Sequence, residues 1–600
     1  MNGLEPFYSQ NQVAAATWQG LERLVFRLLI LQRFEHVWLV GQSGDGGADV
    51  IATRRSTRGG EDIRWLVQVK KLRRPVGDSV VDETLDALLK YGAKIPLIVS
   101  ANGFLPSVHT RREQLVRDGV DLQLWDASKI EKLGSNLSPI PPALQTDGAL
   151  TLRKYQTTAI ERIVDRYTDR TTANALVVLA TGLGKTVTAG EALRRIRSGS
   201  SKPTRVLVLA HTVDLVHQLE RSLWPFMSPS DATCVIGGGE RLASFDQLSK
   251  YAFVFATRDS VHEAQQCDLF PNDIFDVVVV DECHHLGAAT YESVLDALRA
   301  GKIGGPFLVG LTATPWRPDG QGLDHRFDDP VIEVDLPTGL RDGYLANVDY
   351  RVFTDNVDWE QLRELQGDRF TPDKINRTLF ITNWTDGIIE RTQEAWHELG
   401  DGCRAIIFCG TVDHADTVTR KINALGFTKA ATLASRGSDG KPLPSVERSR
   451  RLWDFASGKI GVLCAVDVLN EGIDVPDVNL VVFQRVTHSR RIFVQQLGRG
   501  LRLRAGKEKV IVLDFVTDIR RFAESLALGK ALDQDGPRPG DTRTLTLPSK
   551  IRFMKATEED FDSREFLTHW LRDMDAVASA GEDASVLSFP DLDLLPDNRS

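Results

Sequence analysis

Four consecutive valines, Val277–Val280, run directly into Asp281 and Glu282, and this junction constrains the fold more than any other stretch. An apolar run without polar alternation belongs to a strand covered on both faces, as in a parallel sheet flanked by helices. Two carboxylates at the end of such a strand are costly unless a cation or an ion pair receives them. Ala175–Leu179, Val206–Leu209 and Phe307–Val309 repeat the apolar pattern between helical stretches. After an irregular stretch near residues 336–400 it resumes at Ala405–Phe408, Val462–Cys464, Leu480–Phe483 and Val510–Leu513. The chain is therefore expected to be α/β, with two successive parallel sheets.

Ala180-Thr181-Gly182-Leu183-Gly184-Lys185-Thr186 follows the first apolar run and precedes a helical pattern. Glycines let backbone N–H groups approach a phosphate, and a helix N-terminus adds a favourable field. Thr181, Gly182, Leu183, Gly184, Lys185 and Thr186 are thus candidate ATP contacts, with Lys185 on the β- and γ-phosphates and Thr186 on Mg2+. Asp281 is the candidate second magnesium ligand and Glu282 the base that orients the attacking water. Gln495-Gln496-Leu497-Gly498-Arg499-Gly500-Leu501-Arg502 spaces Arg499 and Arg502 for one helix face, from which both could reach a γ-phosphate.

In this order, with Leu311-Thr312-Ala313-Thr314-Pro315 between them, these segments resemble helicase superfamily 2 motors of the DExH type, especially those of type I restriction enzymes. The resemblance covers roughly residues 150–520. It implies two RecA-like lobes with ATP between them. Arg153 and Gln156 match the adenine-sensing motif, His211–Gln218 a strand-contacting segment, and Gly472 and Asp474 positions that face the nucleotide.

The N-terminal region reads differently. Leu21, Leu24, Val25, Leu28 and Leu29 follow helical spacing, with Glu22 beside the buried face. A glycine-rich turn, residues 41–47, leads into a strand carrying Asp49. On the alternating strand Trp65–Lys70, Gln68 and Lys70 share one face. An acid, an amide oxygen and a lysine on adjacent strands can bind a hard cation and activate water for phosphodiester hydrolysis. Asp49 and Gln68 would hold Mg2+, Lys70 would position the water and steady the phosphorane, and Glu22 would assist. Together with Leu97–Phe104, these residues resemble the Mrr-like branch of the PD-(D/E)xK nucleases over most of residues 15–135. The usual glycine before an aromatic at the end of the first helix is replaced by Arg33-Phe34, which puts the turn geometry in question. Arg54, Arg55, Arg58, Arg64, Lys71, Arg73 and Arg74 are candidate DNA-phosphate contacts around this site.

At 600 residues the chain exceeds a single core. The expected division is a restriction-endonuclease-like domain at 1–135, a proline-containing linker at 136–150, a RecA-like ATP-binding lobe at 151–340, an inter-lobe segment at 341–400, a second RecA-like lobe at 401–530 and a C-terminal extension at 531–600. A net charge of −9 argues against nonspecific coating of nucleic acid but permits a local basic track. Six scattered cysteines without a CxxC pair suggest neither zinc nor disulfides, and no signal or membrane-spanning run is evident, so a cytoplasmic location is expected. The combined expectation is a translocase or helicase coupled to a DNA endonuclease, serving restriction or phage defence with possible protein partners of that system. The alternative is a repair or remodelling motor whose N-terminal domain binds DNA without cutting.

Overall fold

A computed structural model describes residues 6–40, 48–54, 63–137, 152–238, 240, 244–287, 289–313, 323–335, 338–339, 342–354, 382–437, 441, 443, 445–466, 478–484, 509–516 and 552–555. The described chain falls into two compact units. The first contains the N-terminal sheet and one seven-stranded sheet; the second contains another seven-stranded sheet.

The N-terminal sheet orders β1 (Glu35–Leu39), β2 (Val50–Arg54), β3 (Ile63–Lys70), β4 (Ile95–Ser100) and β5 (Gln123–Trp125) side by side. Its β1–β2 and β2–β3 pairs are antiparallel, whereas β3–β4 and β4–β5 are parallel. Helix α1 (Gln10–Ala15) precedes α2 (Trp18–Leu31), whose Thr17 hydroxyl caps it by accepting from the Gly20 N–H. The predicted apolar stripe of α2 is buried. Its end also answers the question raised by Arg33-Phe34. Arg33 adopts φ +62°, the Phe34 N–H donates to the Leu29 carbonyl, and the Phe34 ring meets Trp65 edge to face at 5.1 Å. Arg33 therefore takes the left-handed conformation that glycine adopts more cheaply. Helices α3 (Asp78–Tyr91), α4 (Pro106–Arg117) and α5 (Ala127–Ser135) complete the domain.

In the second sheet the order is β12 (Ile332–Val334), β6 (Asn174–Leu179), β11 (Phe307–Thr312), β10 (Val277–Asp281), β7 (Val206–Ala210), β9 (Phe253–Thr257) and β8 (Thr233–Ile236). From β6 to β8 every neighbouring pair is parallel. Helices α6 (Lys154–Asp169), α7 (Lys185–Gly199), α8 (Val213–Leu223), α9 (Arg258–Gln266) and α10 (Ala289–Leu298) accompany it, and the four valines of β10 are fully covered. This is a RecA-like lobe.

The other seven-stranded sheet is parallel throughout, in the order β15 (Ala430–Ala434), β16 (Val462–Val466), β14 (Ala405–Phe408), β17 (Leu480–Phe483), β18 (Lys509–Val516), β13 (Asn347–Thr354) and β19 (Arg552–Lys555). With α11 (Thr382–Leu399), α12 (Val412–Leu425) and α13 (Ser445–Ala456), it forms a second RecA-like lobe. The segment expected to lie between the lobes supplies β13, and the expected C-terminal extension supplies β19. Both are ordinary strands of this sheet because β18 offers β13 an eight-residue register and β13 in turn receives β19. No helix among the described residues is long and apolar enough to cross a membrane.

Candidate ATPase and nuclease sites

The phosphate loop emerges from β6, the strand next to β11. Gly182 at φ +90° and Gly184 at φ +84° provide turns that side chains resist, and Gly184 caps α7. A Cβ at Gly184 would meet Gln156 Nε2 at 2.5 Å, so Gln156 closes directly against the loop. Gln156 in turn accepts the Arg153 N–H through Oε1 at 3.0 Å, fixing the start of α6. Arg153 and Gln156 thus stand beside the loop.

Lys185 Nζ lies 3.6 Å from Glu282 Oε1. Glu282 has φ +49°, an unfavourable backbone conformation for a side-chain-bearing residue, held where β10 ends. Burial, then the neighbouring Glu282 carboxylate, push the Asp281 carboxyl up to about 7, while Lys185 pulls the other way. A buried carboxyl and a partly buried one thus face one lysine, a set that suits a divalent cation. Thr181 Oγ1 is buried without a hydrogen-bond partner among the described residues, which leaves a polar atom within the loop for a ligand. The residues present therefore fit a magnesium-bound nucleotide.

His284, 1% exposed, lies outside the set of residues expected at this site. Its Nδ1 lies 3.0 Å from Thr312 Oγ1 and 3.3 Å from Glu282 Oε2, joining the ends of β10 and β11. The His285 ring lies 4.4 Å from that of His284 and 4.5 Å from that of His211. Only its position after the paired acids could have drawn attention to His284.

In the N-terminal domain, Asp49 stands immediately before β2, one residue short of the strand expected to carry it. Its Oδ2 accepts the Val69 N–H at 2.6 Å, placing its carboxylate against β3 beside Gln68 and Lys70. The shared face of Gln68 and Lys70 meets Glu83 of α3: Gln68 Nε2 and Lys70 Nζ donate to Glu83 Oε2 at 3.2 and 3.1 Å. Gln68 Oε1, the expected ligand atom, accepts the Thr84 hydroxyl. Glu22 is half-buried on α2, which packs against β1, β2 and β3. Glu83 was missed because an acid in an amphipathic helix carries no local mark of the strand it faces. Asp49 and Glu83 supply carboxylates of the kind a hard cation takes, whereas Gln68 turns its amide nitrogen toward Glu83 and its expected ligand oxygen toward Thr84.

Three of the basic residues expected at this site have structural contacts. Arg64 Nη1 donates to the Tyr91 carbonyl, Lys71 Nζ donates to the Val13 and Ala14 carbonyls at the end of α1, and the Arg54 guanidinium lies 5.3 Å from the Phe34 ring centroid. Arg73 and Arg74 are exposed, while Arg55 and Arg58 lie outside the described residues. Thr314, Pro315, Gly472, Asp474, Arg499 and Arg502 also lie outside them.

Three family models match in succession. A restriction endonuclease model of the Mrr catalytic type matches residues 13–133, the type III restriction enzyme res-subunit model residues 149–317, and the helicase conserved C-terminal domain residues 388–504. The chain therefore carries, in order, a domain of the Mrr restriction endonuclease type, one of the type III restriction enzyme res-subunit type and one of the helicase C-terminal type.

Among its relatives, the type I restriction enzyme EcoAI endonuclease subunit of Escherichia coli is 26% identical over 402 residues, covering 62% of this chain and 47% of the relative. A 51.5 kDa protein of a Lactococcus phage is 26% identical over 331 residues, covering 55% and 63%. The DNA 3'-5' translocase XPB2 of Sulfurisphaera tokodaii is 25% identical over 392 residues, covering 61% and 82%. The chain thus spans about half the length of the EcoAI subunit and under two thirds of the phage protein. In fold it resembles the ATP-dependent type ISP restriction-modification enzyme LlaBIII bound to DNA, with a TM-score of 0.52 at 16% identity over 94% of this chain and 42% of that one.

Proposed function

We propose that this protein is an ATP-driven DNA translocase or helicase coupled to a magnesium-dependent endonuclease, serving restriction or phage defence. The reading rests on one juxtaposition: Lys185 and Glu282 are paired at 3.6 Å in the motor of a chain whose nuclease-like domain brings Lys70 to within 3.1 Å of Glu83 beside Asp49.

In the motor, Lys185 neutralises the β- and γ-phosphates, Glu282 takes a proton from the attacking water, and Arg499 and Arg502 stabilise charge on the transferred phosphoryl group. Arg153 and Gln156 hold the base, and Gly472 and Asp474 are further nucleotide contacts by resemblance. Thr186 and Asp281 would hold magnesium, which would supply charge neutralisation at the phosphates. In the nuclease, Asp49 and Glu83, with the Gln68 oxygen once it is released from Thr84, would hold a second magnesium, Lys70 orients the water against the scissile phosphate, and Glu22 supports the cluster. Each cycle of ATP hydrolysis moves the motor along duplex DNA in the cytoplasm, where partner proteins of the defence system can supply recognition.

The test is cleavage of linear and circular duplex DNA with magnesium, with and without ATP, by the wild type, Asp49→Ala and Lys185→Ala. Loss of cutting in Asp49→Ala with ATP turnover retained supports the nuclease. Loss in both variants makes cutting motor-dependent. DNA-stimulated ATPase without wild-type cleavage under any divalent metal favours the repair or remodelling motor.

A further inference from the structure

Helix α2 has two allegiances. Its apolar stripe and Glu22 belong to the N-terminal domain, while Arg23, one position on and about 100° around the helix, is buried in the first motor lobe. Arg23 Nη1 donates to both oxygens of Glu220 at 2.7 and 2.9 Å, and its Nε and Nη2 donate to the two oxygens of Glu240 at 2.9 and 2.7 Å. The three side chains are only 11%, 1% and 6% exposed. One turn further along α2, Arg27 donates to the carbonyls of Asp231 and Ser228 at 2.8 Å each, and Phe26 packs on Trp224 at 5.6 Å.

Glu220 lies on α8, two turns beyond the His211-Thr212 segment that opens it. An apolar contact can slide with little change in energy, whereas a planar guanidinium paired twice with each of two carboxylates fixes distance and angle together. Buried ion clusters are weak sources of net stability, and their best-attested use is to fix register. A displacement of α8 is therefore carried to α2 more directly than apolar packing would carry it.

We propose that Arg23 is a positioning residue that transmits the placement of α8, the motor's strand-contacting helix, to α2, and through it to Glu22 and the nuclease centre. The inference rests on the motor reading for the response of α8 to DNA and on the nuclease reading for its final step.

Hydrogen exchange of the full chain tests it, measured with and without duplex DNA and AMP-PNP. In the wild type, exchange across α2 should change by about tenfold when both are added. In the charge-free triple variant Arg23→Met, Glu220→Gln, Glu240→Gln, the response at α8 should persist while the response at α2 is lost. Removing the whole cluster avoids stranding one buried charge. Arg23→Lys provides a second variant that keeps a cation but lacks the fork, and it should weaken the α2 response. An α2 response of wild-type size in the triple variant, or in Arg23→Lys should the triple fail to fold, overturns the proposal. So does a wild type in which α8 responds and α2 does not. Cleavage is scored separately: an α2 response in a protein that cuts no DNA sinks the nuclease reading and leaves the coupling intact.

Discussion

Of the five described non-glycine residues with positive φ, Arg33 and Glu282 carry it for different reasons. Arg33 at φ +62° only turns the chain out of α2, so Arg33→Gly should raise stability by roughly 1 kcal/mol, the left-handed penalty less the entropy glycine adds to the unfolded chain. Denaturant unfolding monitored by circular dichroism checks it, and an unchanged or lower midpoint would contradict it. Glu282 at φ +49° is held where it meets Lys185 and His284, so its strain aims a carboxylate. Its neighbour Asp281 makes stability depend on pH. With its carboxyl raised from 3.8 to about 7, the folded form holds a proton that the unfolded form has released. Its contribution therefore falls as pH rises from about 3.8 through about 7. Thermal unfolding without divalent metal should show this loss between pH 5 and pH 8, and magnesium should reverse it. Asp281→Asn should remove that component of the slope; an identical slope in the variant would refute the assignment.

At the scale of elements, α7 separates what helix propensity says from what packing allows. Gly190 lies inside this helix, where alanine would ordinarily gain about 0.5–1 kcal/mol. A Cβ there would stand 2.4 Å from the Phe226 ring, and such overpacking costs about 1–3 kcal/mol. Overpacking outweighs propensity and decides the sign. Gly190→Ala should lower the unfolding midpoint, and Gly190→Ala with Phe226→Leu should recover part of the loss. A stabilised single variant would show that the ring moves aside freely. Gly184 shows the same competition with function attached, because its left-handed backbone and the adjoining Gln156 amide both exclude a side chain from the phosphate loop.

Over the whole molecule, the N-terminal domain and the first motor lobe share a buried boundary. Phe7, Phe26 and Arg27 are 5%, 5% and 1% exposed, and each has a contact on the motor lobe. Excising residues 1–137 strips that cover, with exposure of Phe26 alone costing up to about 2 kcal/mol. The fragment should unfold at a lower temperature than the same segment in the full chain, as followed by hydrogen exchange in β3 and β4. Equal protection in both would mean that the domain stands independently. The α/β class, the apolar cores of most motor strands, the phosphate loop, the paired acids and the alternation of Gln68 with Lys70 were legible in the sequence, because each is encoded within a few consecutive residues. Strands β8, β9, β13, β15 and β19 were not, since their place in a sheet is supplied by neighbours distant in the chain. The same reason hid Glu83 behind the pattern of α3, hid the backbone carbonyls that Arg64 and Lys71 meet, and left Arg23 indistinguishable from a surface arginine. Sequence by itself determined which chemically competent side chains each segment carries; tertiary structure decided which charges meet, because burial and pairing depend on groups that only the folded chain brings together.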